Sequence, residues 1–178
     1  MDKEQLNKAA EYIRKYMKDN PIIKDLAPMY EKCNRDDRMY LSQALMGIEP
    51  WEYMSHIPAF SFHKCEVPTK IDLPIGITSI GGFAFYECNS LASITIPDSV
   101  TRIHRYAFYN CGSLTSITIG NGITRIGDSA FERCMSLNHI KFNGTIAQWE
   151  SVSIEEDTFI DVPVEKITCS DGITNLRH

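Results

Sequence analysis

The chain has 178 residues, of which 43% are hydrophobic, 23% charged and 10% aromatic, the balance of a folded globular protein rather than a disordered or fibrous one. Eighteen basic against 23 acidic side chains leave a formal net charge of −5, which argues against a nucleic-acid binder held by phosphate contacts. The six cysteines are too sparse for a disulfide-dense miniprotein, and no two have the Cys-x-x-Cys spacing of a zinc or thioredoxin-type site.

Met1 to Asn20 alternates acids, bases and apolar residues, with no apolar core of signal-peptide type and no stretch long enough to span a membrane. With Met1 as the natural start, the expectation is a cytoplasmic protein. Leu6, Ala9, Ala10, Ile13, Tyr16 and Met17 fall at helical spacing, and Asn20-Pro21 ends that helix. A second apolar group, Ile22, Ile23, Leu26, Met29, Tyr30 and Cys33, is broken by Pro28. Asn34 suits the cap of a third helix, with Asp36 and Asp37 in the first turn, where the helix dipole favours acids. Leu41, Ala44 and Leu45 give that helix a buried face and Gly47 its carboxyl-terminal cap. Residues 1–47 therefore read as an α-helical N-terminal unit.

From residue 71 the sequence repeats. Blocks 71–93, 94–116 and 117–139 are each 23 residues long, and every pair of them shares 11 identical positions. A fixed period of this length marks a solenoid, in which each repeat buries its apolar side by stacking on its neighbours. Leu91-x-x-Ile94-x-Ile96, Leu114-x-x-Ile117-x-Ile119 and Leu137-x-x-Ile140-x-Phe142 alternate apolar with small polar residues, the period-2 mark of a strand. Strand openings at Ile71, Ile94, Ile117, Ile140 and Ile167 predict five parallel strands, which span on the order of 20 Å when stacked about 4.7–4.9 Å apart. The recurring Ala-Phe-x-x-Cys fits a short helical turn that directs Phe and Cys inward.

The period weakens at both ends. Ile57, Phe62 and Cys65 lie 23 residues before Ile80, Phe85 and Cys88, so 48–70 is read as a degenerate repeat, with Leu41, Leu45, Trp51 and Tyr53 capping the first coil. Ile167 follows Ile140 after 27 residues, which implies a four-residue insertion, placed around Glu155 to Asp161. Asp171 to Leu176 repeats the pattern of Asn121 to Ile126, making 140–178 the terminal repeats. The expected fold is α+β: a helical unit over 1–47 and a short parallel β-solenoid over 48–178. Its expected core is Phe62, Cys65, Ile80, Phe85, Cys88, Leu91, Ile94, Ile96, Ile103, Phe108, Cys111, Leu114, Ile117, Ile119, Ile126, Phe131, Cys134, Leu137 and Ile140.

The consensus Leu-x-x-Ile-x-Ile-Pro-x-x-Val-Thr-x-Ile-x-x-x-Ala-Phe-x-x-Cys-x-Ser resembles the BspA-like (Treponema-type) leucine-rich repeat family. Residues 91–113 match it almost position by position, and the resemblance extends over about 48–178. The ending, with Gly144-Thr145-x-x-Gln148-Trp149 and Thr168-Cys169-x-Asp171-Gly172, is similar to the family's usual terminal repeat. The resemblance implies a curved solenoid used for protein or surface recognition, often on secreted or surface-anchored proteins of bacteria and protozoa.

Cys65, Cys88, Cys111 and Cys134 share one repeat position and are expected to stack as buried thiols that give weak hydrogen bonds to loop carbonyls. Adjacent coils keep their β-carbons about 4.7–4.9 Å apart, whereas a disulfide wants about 3.5–4.5 Å. His56, His63 and Cys65 match no strong zinc spacing, and no Ser-His-Asp set, phosphate loop or carboxylate pair stands out. No catalytic residue, cofactor or metal site is assigned. The outward strand face, with Ser93, Thr95, Ser116 and Thr118, lacks the aromatic and arginine anchors that dominate binding energy. The connecting segments are richer: Phe83, Tyr86, Arg102, His104, Arg105, Tyr106, Tyr109, Arg125, Glu132 and Arg133 are the candidate partner-binding residues, with Tyr86 and Tyr109 forming an aromatic ridge. The acids Glu155, Glu156, Asp157 and Asp161 read as a solvated loop over the last coil.

The function expected from this is binding without catalysis: an intracellular module that recognises another protein, as an inhibitor or adaptor, of which a phage-encoded blocker of a host protein complex is one version. The alternative is a surface or adhesin-type structural repeat protein whose leader is missing from this chain. Direct binding of nucleic acid is not expected.

Overall fold

In the computed structural model, residues 55–176 are described except 58, 65, 66, 68 and 74. The helical unit expected over 1–47, the Trp51 and Tyr53 cap and the core position of Cys65 lie outside the described residues. From Lys70 onward the chain winds as a stack of equivalent segments, each carrying two short strands rather than the single one expected. The first set is β2 (Lys70–Asp72), β4 (Ser93–Ile96), β6 (Ser116–Ile119), β8 (His139–Phe142) and β10 (Lys166–Cys169). These five are parallel neighbours, and β11 (Gly172–Asn175) closes the sheet by pairing antiparallel with β10. The second set is β1 (His56–Ile57), β3 (Ser79–Ile80), β5 (Arg102–Ile103), β7 (Arg125–Ile126) and β9 (Ser153–Ile154), again all parallel.

Register explains the period. Ile94 pairs with Ile117 and Ile117 with Ile140, each a step of 23 residues, so every side chain stands over its own repeat equivalent. Inward residues alternate with outward ones in β4 and β6, as the period-2 pattern requires. Thr101 and Thr124 add a third kind of support: each donates both its N–H and its hydroxyl to the carbonyl of the threonine one coil earlier, the hydroxyls at 3.1 and 2.9 Å. That explains why threonine recurs at an exposed position.

The Ala-Phe-x-x-Cys segment is not the helical turn expected. The N–H groups of Ala84, Tyr86 and Cys88 close local turns onto carbonyls three residues back, while those of Phe83, Phe85 and Glu87 donate to Arg105, Ala107 and Tyr109 in the next coil. A helix would aim every amide along the chain. Here alternate amides point along the stack, and the turn closes only because Phe83 and Glu87 take left-handed backbone angles, φ 59° and 54°. Tyr106, Asn110, Ser129 and Arg133 do the same in the following coils.

The Phe and Cys side chains nevertheless point inward. Phe62, Phe85, Phe108, Phe131 and Phe159 form one column of stacked rings with centroids 5.1–5.5 Å apart. Beside it Cys88, Cys111 and Cys134 donate their thiols to the carbonyls of Phe62, Phe85 and Phe108 at 2.9, 3.0 and 3.1 Å. Burial pushes the Cys111 thiol well up from its ordinary pKa, which keeps it protonated and able to donate. Ile80, Leu91, Ile94, Ile96, Ile103, Leu114, Ile117, Ile119, Ile126, Leu137 and Ile140 complete this core, none more than 2% exposed.

The extra residues of the fifth coil lie upstream of where they were expected. Arg125 pairs with Ser153, a step of 28, so the insertion precedes β9 and not Glu155 to Asp161. It forms helix α1 (Ile146–Ser151), whose capping box pairs Thr145 with Gln148 in both directions and whose buried Trp149 packs on Phe142 at 5.3 Å. Asp171 also accepts from the Ile146 N–H at 2.8 Å. The segment from Asp171 to Leu176, expected to continue the coil pattern, turns back instead as the β10–β11 hairpin.

Two substitutions separate the contributions. Phe108→Ala, which opens a gap in the ring column, should lower the unfolding free energy by about 3–5 kcal/mol in urea titration. Thr101→Val, which removes one exposed hydroxyl bond and keeps the shape, should cost only about 1 kcal/mol.

Candidate functional site

The left-handed positions of the turn segment carry an unusual choice of residue. Phe60, Phe83 and Tyr106 occupy the first of them in three successive coils, at φ 61°, 59° and 56°. A bulky side chain there is uncommon, because the β-carbon crowds the following carbonyl and costs about 1–2 kcal/mol per residue. Their rings stack along the coil axis with centroids 4.8 and 4.9 Å apart. Three residues later in each coil, His63, Tyr86 and Tyr109 form a second column at 4.8 and 5.0 Å. Rings of the two columns meet across each coil at 5.6–5.9 Å. The result is an array of six rings in two stacked columns, partly exposed at the surface. In the fourth coil the equivalent positions are Ser129 and Glu132, so the array ends there in a polar border.

Cations flank the second column. Lys64 lies 5.9 Å from the Tyr86 ring and also pairs with Glu87 at 3.3 Å, and Arg133 lies 5.8 Å from the Tyr109 ring. Burial, then the neighbouring Glu87, holds the Tyr86 phenol above its ordinary pKa and keeps it neutral. On the other side of the array, a cleft of about 470 Å³ separates the first ring column from the outward residues of the second sheet. Its walls include Phe60 and Phe83 on one side and Arg102 and Arg125 on the other, with His104 and Arg105 between. Gly82 and Gly127 let neighbouring coils approach closely at its floor; a β-carbon at Gly127 would lie 2.6 Å from the Arg105 amide nitrogen and one at Gly82 3.2 Å from the Arg105 carbonyl oxygen.

Parallel pairing of β5 with β7 puts Arg102 beside Arg125. Arg125 is neutralised by Glu155, which it contacts through both Nε and Nη2, and the second Glu155 oxygen accepts from the Asp128 N–H at 2.9 Å. These contacts hold the Glu155 carboxyl below the usual carboxylate range. Arg102 and Arg105 make no ion pair among the described residues. Burial, with Arg102 and Arg125 adding to it, pushes His104 below its ordinary pKa.

The structure thus gathers Phe83, Tyr86, Tyr106 and Tyr109 into the array, Arg102, His104, Arg105 and Arg125 into the cleft, and Glu132 and Arg133 at the border. Phe60 and His63 are the members that the sequence reading left out. Subtracting one period from Phe83 and Tyr86 reaches both. Among the described residues no group of His, Cys, Asp and Glu is placed to hold a metal ion, and no helix is long and apolar enough to cross a membrane.

The model of the BspA type leucine rich repeat region matches residues 55–178 in 6 copies, and the chain belongs to that family. Among solved structures, the leucine rich repeat protein of T. pallidum is 29% identical, with a TM-score of 0.53 over 60% of this chain and 47% of that one. A leucine-rich repeat protein from Bacteroides capillosus is 26% identical, with a TM-score of 0.50 over 61% of this chain and 81% of that one. The chain therefore spans about half of the Treponema protein. No curated protein matches it.

The Arg125–Glu155 contact makes a pH prediction. Glu155 has a folded pKa below its unfolded value of about 4.3, so its stabilisation is present above that pH and is lost as pH falls through the folded value. Glu155→Gln should cost less than about 1 kcal/mol at pH 7 for so exposed a pair, read as a slightly lower melting temperature. In acid melts the two proteins should converge.

Proposed function

We propose that the chain is a non-catalytic protein-interaction module that contacts its partner through the aromatic array and the adjoining cleft. The observation that carries this reading is the placing of Phe60, Phe83 and Tyr106 at left-handed backbone positions. Glycine would relieve the strain at each of them, and strained backbone persists where surrounding structure or function over-determines it. Stacking recovers part of the cost, at about 0.5–1.5 kcal/mol per aromatic pair. What the choice of rings adds beyond glycine is a continuous, half-exposed apolar surface of the composition that anchors protein interfaces.

Membership of a leucine-rich repeat family supports the same reading, since these folds generally serve as interaction scaffolds. A stack of coils locked by backbone hydrogen bonds offers a preorganised surface. Such a surface can block a partner by occupying it, as an inhibitor, or bridge two proteins, as an adaptor.

The test uses a paired substitution, Phe83→Gly with Tyr106→Gly. Relief of backbone strain offsets lost stacking, so stability should stay within about 2 kcal/mol of the wild type. Affinity for a protein captured from native lysate and then purified should fall at least tenfold. Unchanged affinity would remove the array from the interface.

A further inference from the structure

Charge is distributed over this face in a way that the protein-interaction reading does not by itself require. The molecule is acidic overall, yet of the six lysines and arginines between residues 48 and 139, five sit beside the array or in the cleft: Lys64, Arg102, Arg105, Arg125 and Arg133. Three of these are matched by acids, Lys64 by Glu87, Arg125 by Glu155 and Arg133 by Glu132. Arg102 and Arg105 are left unmatched among the described residues, both exposed and both lining the cleft.

Arg102 also stands in parallel register with Arg125, and like charges placed directly opposite on neighbouring strands are destabilising. Serine occupies the equivalent position in β3 and β9, so the solenoid itself does not demand a cation there. Phe60 and Phe83, which line the same cleft, add apolar area beside these charges. The unmatched guanidinium groups and the rings together make a locally positive, partly apolar surface on an acidic protein.

We propose that this surface is the docking site for an acidic peptide segment of a partner protein, whose carboxylates pair with Arg102 and Arg105 while an apolar side chain between them lies against Phe83. This deepens the interaction reading above and rests on it. The planar fork of arginine pairs with carboxylate through two parallel hydrogen bonds, and the unmatched guanidiniums supply that geometry without first breaking an internal ion pair. A nucleic-acid backbone would offer anions as well, but the net charge of −5 opposes a long polyanion where a short acidic segment meets only the local field.

The experiment measures fluorescence anisotropy of a labelled octapeptide, Glu-Glu-Phe-Glu-Glu-Phe-Glu-Glu, against the full chain. Its controls are the same peptide with every Glu replaced by Gln and a single-stranded oligonucleotide of equal charge. The acidic peptide should bind at least tenfold more tightly than the Gln peptide and the oligonucleotide, and Arg102→Gln with Arg105→Gln should remove that preference without changing the melting temperature. Equal binding of the two peptides, tighter binding of the oligonucleotide, or no binding up to about 1 mM overturns the proposal. The ring variant separates the two readings. If a purified partner is lost on Phe83→Gly with Tyr106→Gly but not on the arginine substitutions, the module stands and the acidic segment does not.

Discussion

The N–H groups of Phe85, Phe108 and Phe131 each reach a carbonyl of the following coil, at 2.7, 2.8 and 2.9 Å. With the two parallel sheets they hold adjacent coils in register on three sides, and because buried amides must be paired, the register cannot slip by a residue without leaving a column of them unsatisfied. The rest follows from that constraint. Phenylalanine stacks on phenylalanine, thiol lies beside thiol and threonine hydroxyl meets threonine carbonyl because the backbone holds equivalent positions one coil apart. A core built this way needs no side chain of a kind its neighbour lacks.

The same constraint makes the surface. Two residues of every turn segment must take left-handed angles so that alternate amides can point along the stack, and the cost recurs in each coil. Coils three and four show two ways of meeting it, with Tyr106 at the first such position in one and Ser129 in the next. Where rings are used, coil spacing turns them into a continuous column; where small polar residues are used, the surface is interrupted. The apolar array is thus a local choice of side chain laid on a backbone that is uniform throughout, and the arginines of β5 and β7 are set beside it by the pairing that also buries Ile103 and Ile126.

The parts legible in the sequence were those with an apolar residue at every turn of the period: the strands opening at Ile71 to Ile167 and the columns of Phe85 and Cys88. The second sheet escaped because each of its strands is two residues long with a single inward isoleucine, too little for alternation to show. Ala-Phe-x-x-Cys read as helical because its spacing fits one turn, while the bonding that opposes a helix runs to residues 22 positions away and has no local signature. The insertion was misplaced because the acids near Glu155 look like a loop, whereas the added residues fold into α1. Asp171 to Leu176 has the composition of a coil but no following coil to pair with, so it closes the sheet edge instead. Phe60 and His63 were one subtraction away, in a stretch where repeat similarity is weakest.

The direction of the turn-segment hydrogen bonds also bears on the far end of the molecule. In every coil the amides at the positions of Phe83, Phe85 and Glu87 donate toward the C-terminal side of the stack, so their dipoles add along the axis as those of a helix do. The last donors with a coil ahead of them are Ser129, Phe131 and Arg133. Asp157 and Asp161 occupy the two left-handed positions of the coil that receives them, with Glu156 alongside. Carboxylates therefore sit at the positive pole of an aligned column of peptide dipoles, the relation found when acids occupy the first turn of a helix, reproduced here by a face that contains no helix at all.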